Sequence, residues 1–103
     1  MLGYEVTIFE AHERPSGLTV YGTAPYKITN EEALSEIEYL QQQLDFQVKY
    51  NSAITTREQL QNIESQYDAV FIGVGIGPTA SLNVKGEDVK GVTGAVEFIR
   101  ELR

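Results

Sequence analysis

The chain has 103 residues, a net charge of −7, 42% hydrophobic residues and no cysteine. Its length allows one small domain, and its hydrophobic content is too high for a disordered tail. The negative charge argues against a nucleic-acid or acidic-membrane partner. The absence of cysteine excludes disulfides and cysteine-ligated iron–sulfur clusters within this stretch, and one histidine does not make a zinc site.

No apolar stretch approaches the ~20 residues that a membrane span needs. The sequence also begins without a basic region followed by an apolar one, so no signal peptide is visible. We therefore expect a cytoplasmic protein.

The first predicted strand covers residues 4–9, where β-branched and aromatic residues follow one another. It ends on Glu10, at the position where a dinucleotide-binding unit has an acid that accepts hydrogen bonds from ribose hydroxyls. Such a unit begins with an earlier strand and a glycine-rich phosphate loop, about 20 residues before the acid. Only nine residues precede Glu10, so we expect residues 1–103 to be an internal piece of a larger flavoprotein.

A long loop, a helix and a second strand follow. Residues 11–30 contain glycines and prolines without a sustained period, which predicts a loop of a length that is uncommon unless functional. Thr29 and Glu32 form a capping-box pattern and predict a helix over 30–44, with one apolar face. Alternating apolar residues predict a second strand over 46–50.

The second half of the chain continues the alternation of helices and strands. A further capping box over 55–58 predicts a helix at 57–65. The unbroken apolar run Ala69–Ile72, which follows Asp68, predicts a strand over 68–73 that is buried on both faces. Thr93 is predicted to cap a last helix over 94–102. Strands separated by helices indicate parallel pairing and an α/β fold, here a partial Rossmann-like sheet.

Three glycines follow the third predicted strand, at positions 73, 75 and 77. A dinucleotide fingerprint requires Gly-x-Gly-x-x-Gly at the start of a helix, but Pro78 occupies the last position and no helical period follows. We interpret Gly73 and Gly75 as a strand-end turn that passes close to a cofactor. His12 has no nucleophile motif near it and is predicted to be an exposed loop residue, so no catalytic residue is assigned.

Four segments in fixed order resemble the FAD-binding domain of the glutamate synthase small subunit and its relatives: Glu10–Leu18, Tyr21–Lys27, Tyr67–Gly77 and Val84–Val92. The resemblance covers essentially the whole chain. Within the family, the Tyr-Gly-x-Ala-Pro-Tyr-Lys segment and the Gly-Val-Gly-Ile-Gly turn favour the NAD-dependent dihydropyrimidine dehydrogenase flavoprotein subunit.

The resemblance implies a parent subunit that takes hydride from NADH or NADPH onto FAD. Electrons would then pass through iron–sulfur clusters to reduce a pyrimidine or similar substrate. The NAD(P)H and the clusters would be bound outside this segment, and a catalytic partner subunit or domain would complete the enzyme. Two alternatives stay open: a segment of a glutamate synthase small subunit, and a non-enzymatic α/β interaction module in which Glu10 and Gly17 are structural.

The resemblance also implies the residues that contact FAD. Glu10 would hold the adenosine ribose, and the loop ending in Ser16, Gly17 and Leu18 would line the cofactor. Ser16 replaces a glycine that is common in the family. The remaining positions would be Lys27 near the phosphates or flavin, Ala53 at the adenine, and Gly73 and Gly75 near the pyrophosphate or flavin.

A doubly wound unit has the strand order 3-2-1-4, in which residues 46–50, 4–9 and 68–73 would be strands 3, 2 and 4. Because unpaired buried backbone groups cost roughly 1–3 kcal/mol each, we expect strands 2 and 4 to pair directly, or a homodimer to supply the missing neighbour. The pyrophosphate normally lies at the helix after strand 1. We therefore expect little FAD binding and no activity from this segment alone.

Overall fold

The computed structural model describes residues 2–103. Its elements in chain order are β1 (Thr7–Phe9), α1 (Leu18–Tyr21), α2 (Asn30–Leu44), β2 (Gln47–Lys49), α3 (Arg57–Gln66) and α4 (Ala95–Leu102). The predicted α/β class is confirmed, and the three predicted helices lie within one residue of α2, α3 and α4 at each end.

The two strands form a parallel sheet, in which Thr7 lies opposite Gln47 and Phe9 opposite Lys49. Pairing continues past the strand ends, because the Glu10 amide donates to the Lys49 carbonyl at 2.9 Å and the Ser52 amide donates to the Glu10 carbonyl at 2.8 Å. The predicted parallel pairing of these strands is therefore confirmed, although each strand is shorter than predicted.

Capping interactions fix where the middle helices begin. The Glu32 amide donates to Thr29 Oγ1 at 3.2 Å and the Thr29 amide donates to Glu32 Oε2 at 2.9 Å, which confirms the first capping box. The second box joins Thr56 to Gln59 and so lies one residue later than predicted. The prediction of Thr93 as a cap is wrong, because α4 begins after Gly94 without a side-chain cap.

The predicted strand over 68–73 is wrong. Among residues 2–103, no hydrogen bond involves residues 68–78, and the sheet contains β1 and β2 alone. The predicted direct pairing of residues 4–9 with 68–73 is wrong for the same reason. A strand exists only through hydrogen bonds to a neighbour, and an apolar sequence does not provide one.

The helix α1 lies inside the region predicted as a loop, and its four residues are too few to show a helical period. Its Val20 and the Ala33 of α2 are the fully buried residues within the described chain. The end of α4 is tied to the loop before α2, because the Arg103 guanidinium donates to the Thr23 carbonyl at 2.7 Å, to the Ile28 carbonyl at 2.6 Å and to Asn30 Oδ1. Within residues 2–103, every helix is too short or too polar to cross a bilayer.

Candidate cofactor site

Glu10 directly follows β1, and its backbone continues the parallel pairing with the end of β2 and the segment after it. Its Oε1 accepts from the His12 amide at 2.9 Å and lies 3.1 Å from His12 Nδ1. Its Oε2 has no hydrogen-bond partner within residues 2–103, and the side chain is 21% exposed. The carboxylate is therefore held in place by one oxygen, and the other remains available to accept hydrogen bonds.

His12 links this carboxylate to α1. Its ring lies 4.8 Å from the ring of Tyr21, between centroids, and the planes are inclined by 36°. The Tyr21 hydroxyl in turn accepts from the Arg14 amide at 3.2 Å. His12 is exposed, as predicted, but it also orients Glu10, a role that the search for nucleophile motifs did not reveal.

The turn into α1 has two successive residues with positive φ. Ser16 has φ 77° and Gly17 has φ 48°. For serine this conformation carries strain, and a glycine at this position would relieve it. An added Cβ at Gly17 would meet no atom within 4 Å, so glycine is needed there for its backbone conformation. Leu18 follows as an exposed residue.

Basic side chains gather beside this turn although the protein is acidic. Arg14, Arg100 and Arg103 line a shallow cleft together with Tyr21 and Asn30, and these are three of the eight lysines and arginines in the chain. The Arg100 guanidinium lies 6.0 Å from the centre of the Tyr21 ring. Arg103 is engaged by backbone carbonyls. Glu13 also lines the cleft, and its Oε1 lies 3.7 Å from Arg14 Nε and offsets part of that charge. Arg14 and Arg100 are the cations that could meet an anionic ligand.

The structure brings some of the sequence-predicted residues near Glu10. Ala53 is exposed and directly follows Ser52, whose amide is bonded to the Glu10 carbonyl, so both lie at the same edge of the sheet. Lys27 is exposed and closes a turn by donating its amide to the Ala24 carbonyl at 2.9 Å. Gly73 and Gly75 are exposed, and no hydrogen bond within residues 2–103 joins them or Lys27 to the Glu10 group.

Three carboxyl groups with lowered pKa lie outside this site. A hydrogen bond from the Ser81 hydroxyl, followed by one from the Leu82 amide, lowers the pKa of Glu87. The Thr79 hydroxyl similarly lowers the pKa of Glu97, and the Thr29 amide lowers that of Glu32. These acids hold turns and helix ends. No group of three or more metal-ligating side chains occurs within the described residues.

Comparison with known proteins finds that the chain is similar to segments of oxidoreductase subunits. It is 31% identical over 102 residues to the NADP(+)-dependent formate dehydrogenase subunit beta of Moorella thermoacetica, covering 97% of this chain and 14% of that protein. It is 28% and 31% identical to the glutamate synthase [NADPH] small chains of Escherichia coli and Bacillus subtilis, in each case covering 94% of this chain and 20% of the relative. Searches of family models and of solved structures gave no match.

These relatives share a class, since each is a subunit of an NADP-dependent oxidoreductase. The resemblance seen in the sequence is confirmed: nearly all of this chain is similar to one segment of the glutamate synthase small subunit and related subunits. The chain spans between about one seventh and one fifth of the length of these relatives.

Proposed function

We propose that this chain is the part of an NADPH-oxidising flavoprotein subunit that binds the adenosine end of FAD. The single observation that carries the proposal is the position of Glu10. It ends a strand of a parallel sheet, with one carboxylate oxygen held by His12 and the other without a partner in the described residues. A ribose presents two adjacent hydroxyls, which can donate hydrogen bonds to such a carboxylate.

The charge around this carboxylate also suits a dinucleotide. Arg14 and Arg100 lie in the cleft beside Tyr21, where the phosphates of a cofactor would find positive charge in an otherwise acidic chain. Arginine is well suited to this role because its planar guanidinium donates two parallel hydrogen bonds to phosphate oxygens.

Each remaining residue has a binding role in this proposal. The turn of Ser16, Gly17 and Leu18 would line the cofactor, and the backbone of Ala53 would meet the adenine. Lys27, Gly73 and Gly75 would approach the phosphates or the flavin. When bound, FAD supplies the capacity to accept hydride and release single electrons. This chain would bind and orient the cofactor, and NADPH and iron–sulfur clusters would be held elsewhere in the parent.

The substrate of the parent enzyme is a separate proposal. The Tyr21–Lys27 segment and the turn over residues 73–77 favour the pyrimidine-reducing branch of the family. The second candidate is a glutamate synthase small subunit, which the relatives from Escherichia coli and Bacillus subtilis favour. In both cases the work would be shared with a catalytic partner subunit or domain. Reduction of a pyrimidine or of 2-oxoglutarate with glutamine by the parent, fed with NADPH, would separate the two.

Titration of the isotopically labelled chain with ADP and with FAD tests the cofactor site. We expect weak binding, of about millimolar affinity, with the largest amide shifts at Glu10, Ser16–Leu18 and Ala53. The substitution Glu10→Gln removes a charge-assisted acceptor and should weaken ADP binding about tenfold or more.

Glu36→Gln is the matched control, because it removes the same charge from an exposed side chain of α2 that does not line the cleft. It should change the affinity less than twofold. If the shifts cluster elsewhere, or both variants bind ADP equally well, the assignment of Glu10 to the ribose is wrong.

A further inference from the structure

The helix α4 starts without a cap of its own. It has eight residues, a length at which a helix is marginal in water without help at its ends. Its N-cap residue is Gly94, which has no side chain to accept from the first helical amides. One of those amides is instead bonded by a residue that is distant in the sequence, because the Val96 amide donates to Thr79 Oγ1 at 3.4 Å.

Thr79 takes the place of the missing cap residue. Its hydroxyl donates to Glu97 Oε2 at 2.7 Å, and its amide donates to Glu97 Oε1 at 3.3 Å. In a capping box, the cap hydroxyl accepts from an early helical amide, and the side chain of the third helical residue accepts from the cap amide. Glu97 is the third residue of α4, so Thr79 reproduces the box from a position 18 residues away from it.

Gly94 leaves the space that Thr79 occupies. Its φ of −68° is one that any residue adopts, so glycine is not needed there for its backbone conformation. A Cβ at this position would lie 2.8 Å from both Cβ and Oγ1 of Thr79, which is closer than such atoms approach one another. The fit of Thr79 against the start of α4 therefore depends on the absence of a side chain at residue 94.

Arg100 lies between two anchors of α4. Thr79 holds the first turn, and Arg103 holds the last turn through the loop before α2. The Thr79 hydroxyl is the largest cause that lowers the pKa of Glu97, and the charge of Arg100, one helical turn further on, lowers it more. Thr79 occupies both oxygens of this carboxylate, so Arg100 is left to the Tyr21 side of the cleft. An arginine on an anchored helix loses little freedom when it meets an anion.

We propose that Thr79 is a positioning residue of the cofactor site, which caps α4 from outside the helix and so holds Arg100 in the cleft for the cofactor phosphates. This role rests on the proposed function, in which Arg100 meets those phosphates. Thr79 also lies two residues after Gly77, so it attaches the turn over residues 73–77 to the helix that carries Arg100. It acts through Arg100 and not by touching the cofactor.

Amide hydrogen exchange of the 103-residue chain without ligand tests the cap. Thr79→Val keeps the shape of the side chain but removes the hydroxyl, so the Val96 and Phe98 amides should exchange about fivefold faster. Thr79→Ser keeps the hydroxyl and should stay within about twofold of the wild type. Gly94→Ala should also speed both amides, because its Cβ displaces Thr79. The matched control is Thr93→Val, which makes the same change at an exposed residue without a hydrogen bond in the described chain and should have no effect.

Titration with ADP tests the positioning role. Thr79→Val should weaken ADP binding about threefold or more, whereas Thr79→Ser and Thr93→Val should bind ADP as the wild type does. The loss should disappear when Arg100→Ala is already present, because Thr79 acts through that side chain, and it should persist beside Glu10→Gln. A merely structural role would add equally to both.

Unchanged exchange in Thr79→Val would overturn the cap, and with it this proposal alone. Faster exchange with unchanged ADP affinity, or a loss that adds fully to that of Arg100→Ala, would overturn the positioning role. Failure of the wild-type chain to bind ADP would overturn the proposed function and the role of Thr79 that rests on it. The exchange result, which needs no ligand, separates that outcome from failure of the cap.

Discussion

Two regions of the chain have sequences typical of strands but differ in structure: the region from β1 to α3, and residues 69–74. The residues around β2 alternate apolar and polar side chains and form a strand, because β1 lies beside them. Residues 69–74 are more apolar than either strand, yet their backbone makes no hydrogen bond in the described chain. A strand is thus a property of two segments, whereas a helix can be specified by one.

The helices α2 and α3 are each specified by their own segment. The hydrogen bonds of α2 and α3 close within each helix, and their first turns are completed by residues three positions apart. Nothing outside the segment is needed to begin them. We therefore expect single substitutions at the helix ends to change the free energy of unfolding by amounts that their local hydrogen bonds predict. Residues 69–74 should become ordered only when another segment pairs with them.

The largest loss of stability is expected from Arg103→Ala, which detaches α4 from the loop before α2. The guanidinium donates to the Thr23 and Ile28 carbonyls and to Asn30, all more than 70 residues away in the sequence. Loss of these charge-assisted bonds should cost about 3 kcal/mol in the free energy of unfolding by urea. Arg100→Ala is the control, and its contact with Tyr21 should be worth less than about 1 kcal/mol. Equal costs for both variants would contradict this account of how α4 is anchored.

An intermediate effect is expected from the helix caps. Thr29→Ala and Thr56→Ala each remove a side chain that accepts from the third helical amide and should each cost about 1 kcal/mol. Thr93→Ala should cost almost nothing, because Gly94 caps α4 without a side chain. Urea unfolding followed by circular dichroism measures all three. A cost at position 93 as large as that at position 29 would show that the cap of α4 is wrongly placed.

A gain in stability is expected at the turn before α1. Ser16→Gly should stabilise the chain by about 1 kcal/mol, because glycine adopts φ 77° without steric cost. The matched control is Ser35→Gly within α2, where glycine should destabilise by about 0.5–1 kcal/mol. Thermal unfolding compares the two. A loss of stability in Ser16→Gly would mean that the serine side chain contributes more than its strained backbone costs.

Much of the fold was predictable because its signals are local. The capping box at Thr29 and the apolar face behind it gave the bounds of α2, and the alternation over 46–50 gave the position of β2. The strand predicted over 68–73 is wrong because composition alone does not show whether a neighbouring strand is present to pair with the segment. The four residues of α1 were missed because one turn shows no period.

The site was predictable in part for the same reason. The position of Glu10 just after a strand follows from the strand pattern itself, so it could be predicted from the sequence. The contacts of His12 with Tyr21, and of Arg14 and Arg100 with the same cleft, join segments that only the fold brings together. Tyr21 did lie within the Tyr-Gly-x-Ala-Pro-Tyr-Lys segment that carried the resemblance, and that was the one signal that could have pointed to it.

The smallest effect is expected in the response to acid. The hydrogen bond from the Thr79 hydroxyl lowers the pKa of Glu97 from its ordinary value of 4.5. A carboxyl whose pKa is lower in the folded state contributes stability above the unfolded value, and this is lost as the pH falls through the folded value. Stability should therefore decline below about pH 4.5, and Glu97→Gln should decline less steeply, in urea unfolding measured from about pH 6 to pH 3. Glu36→Gln, an exposed acid of α2 without a hydrogen bond in the described residues, should keep the wild-type slope. The Thr79–Glu97 contact joins the segment after residue 78 to α4. Identical slopes in all three proteins would mean that this contact does not form in solution.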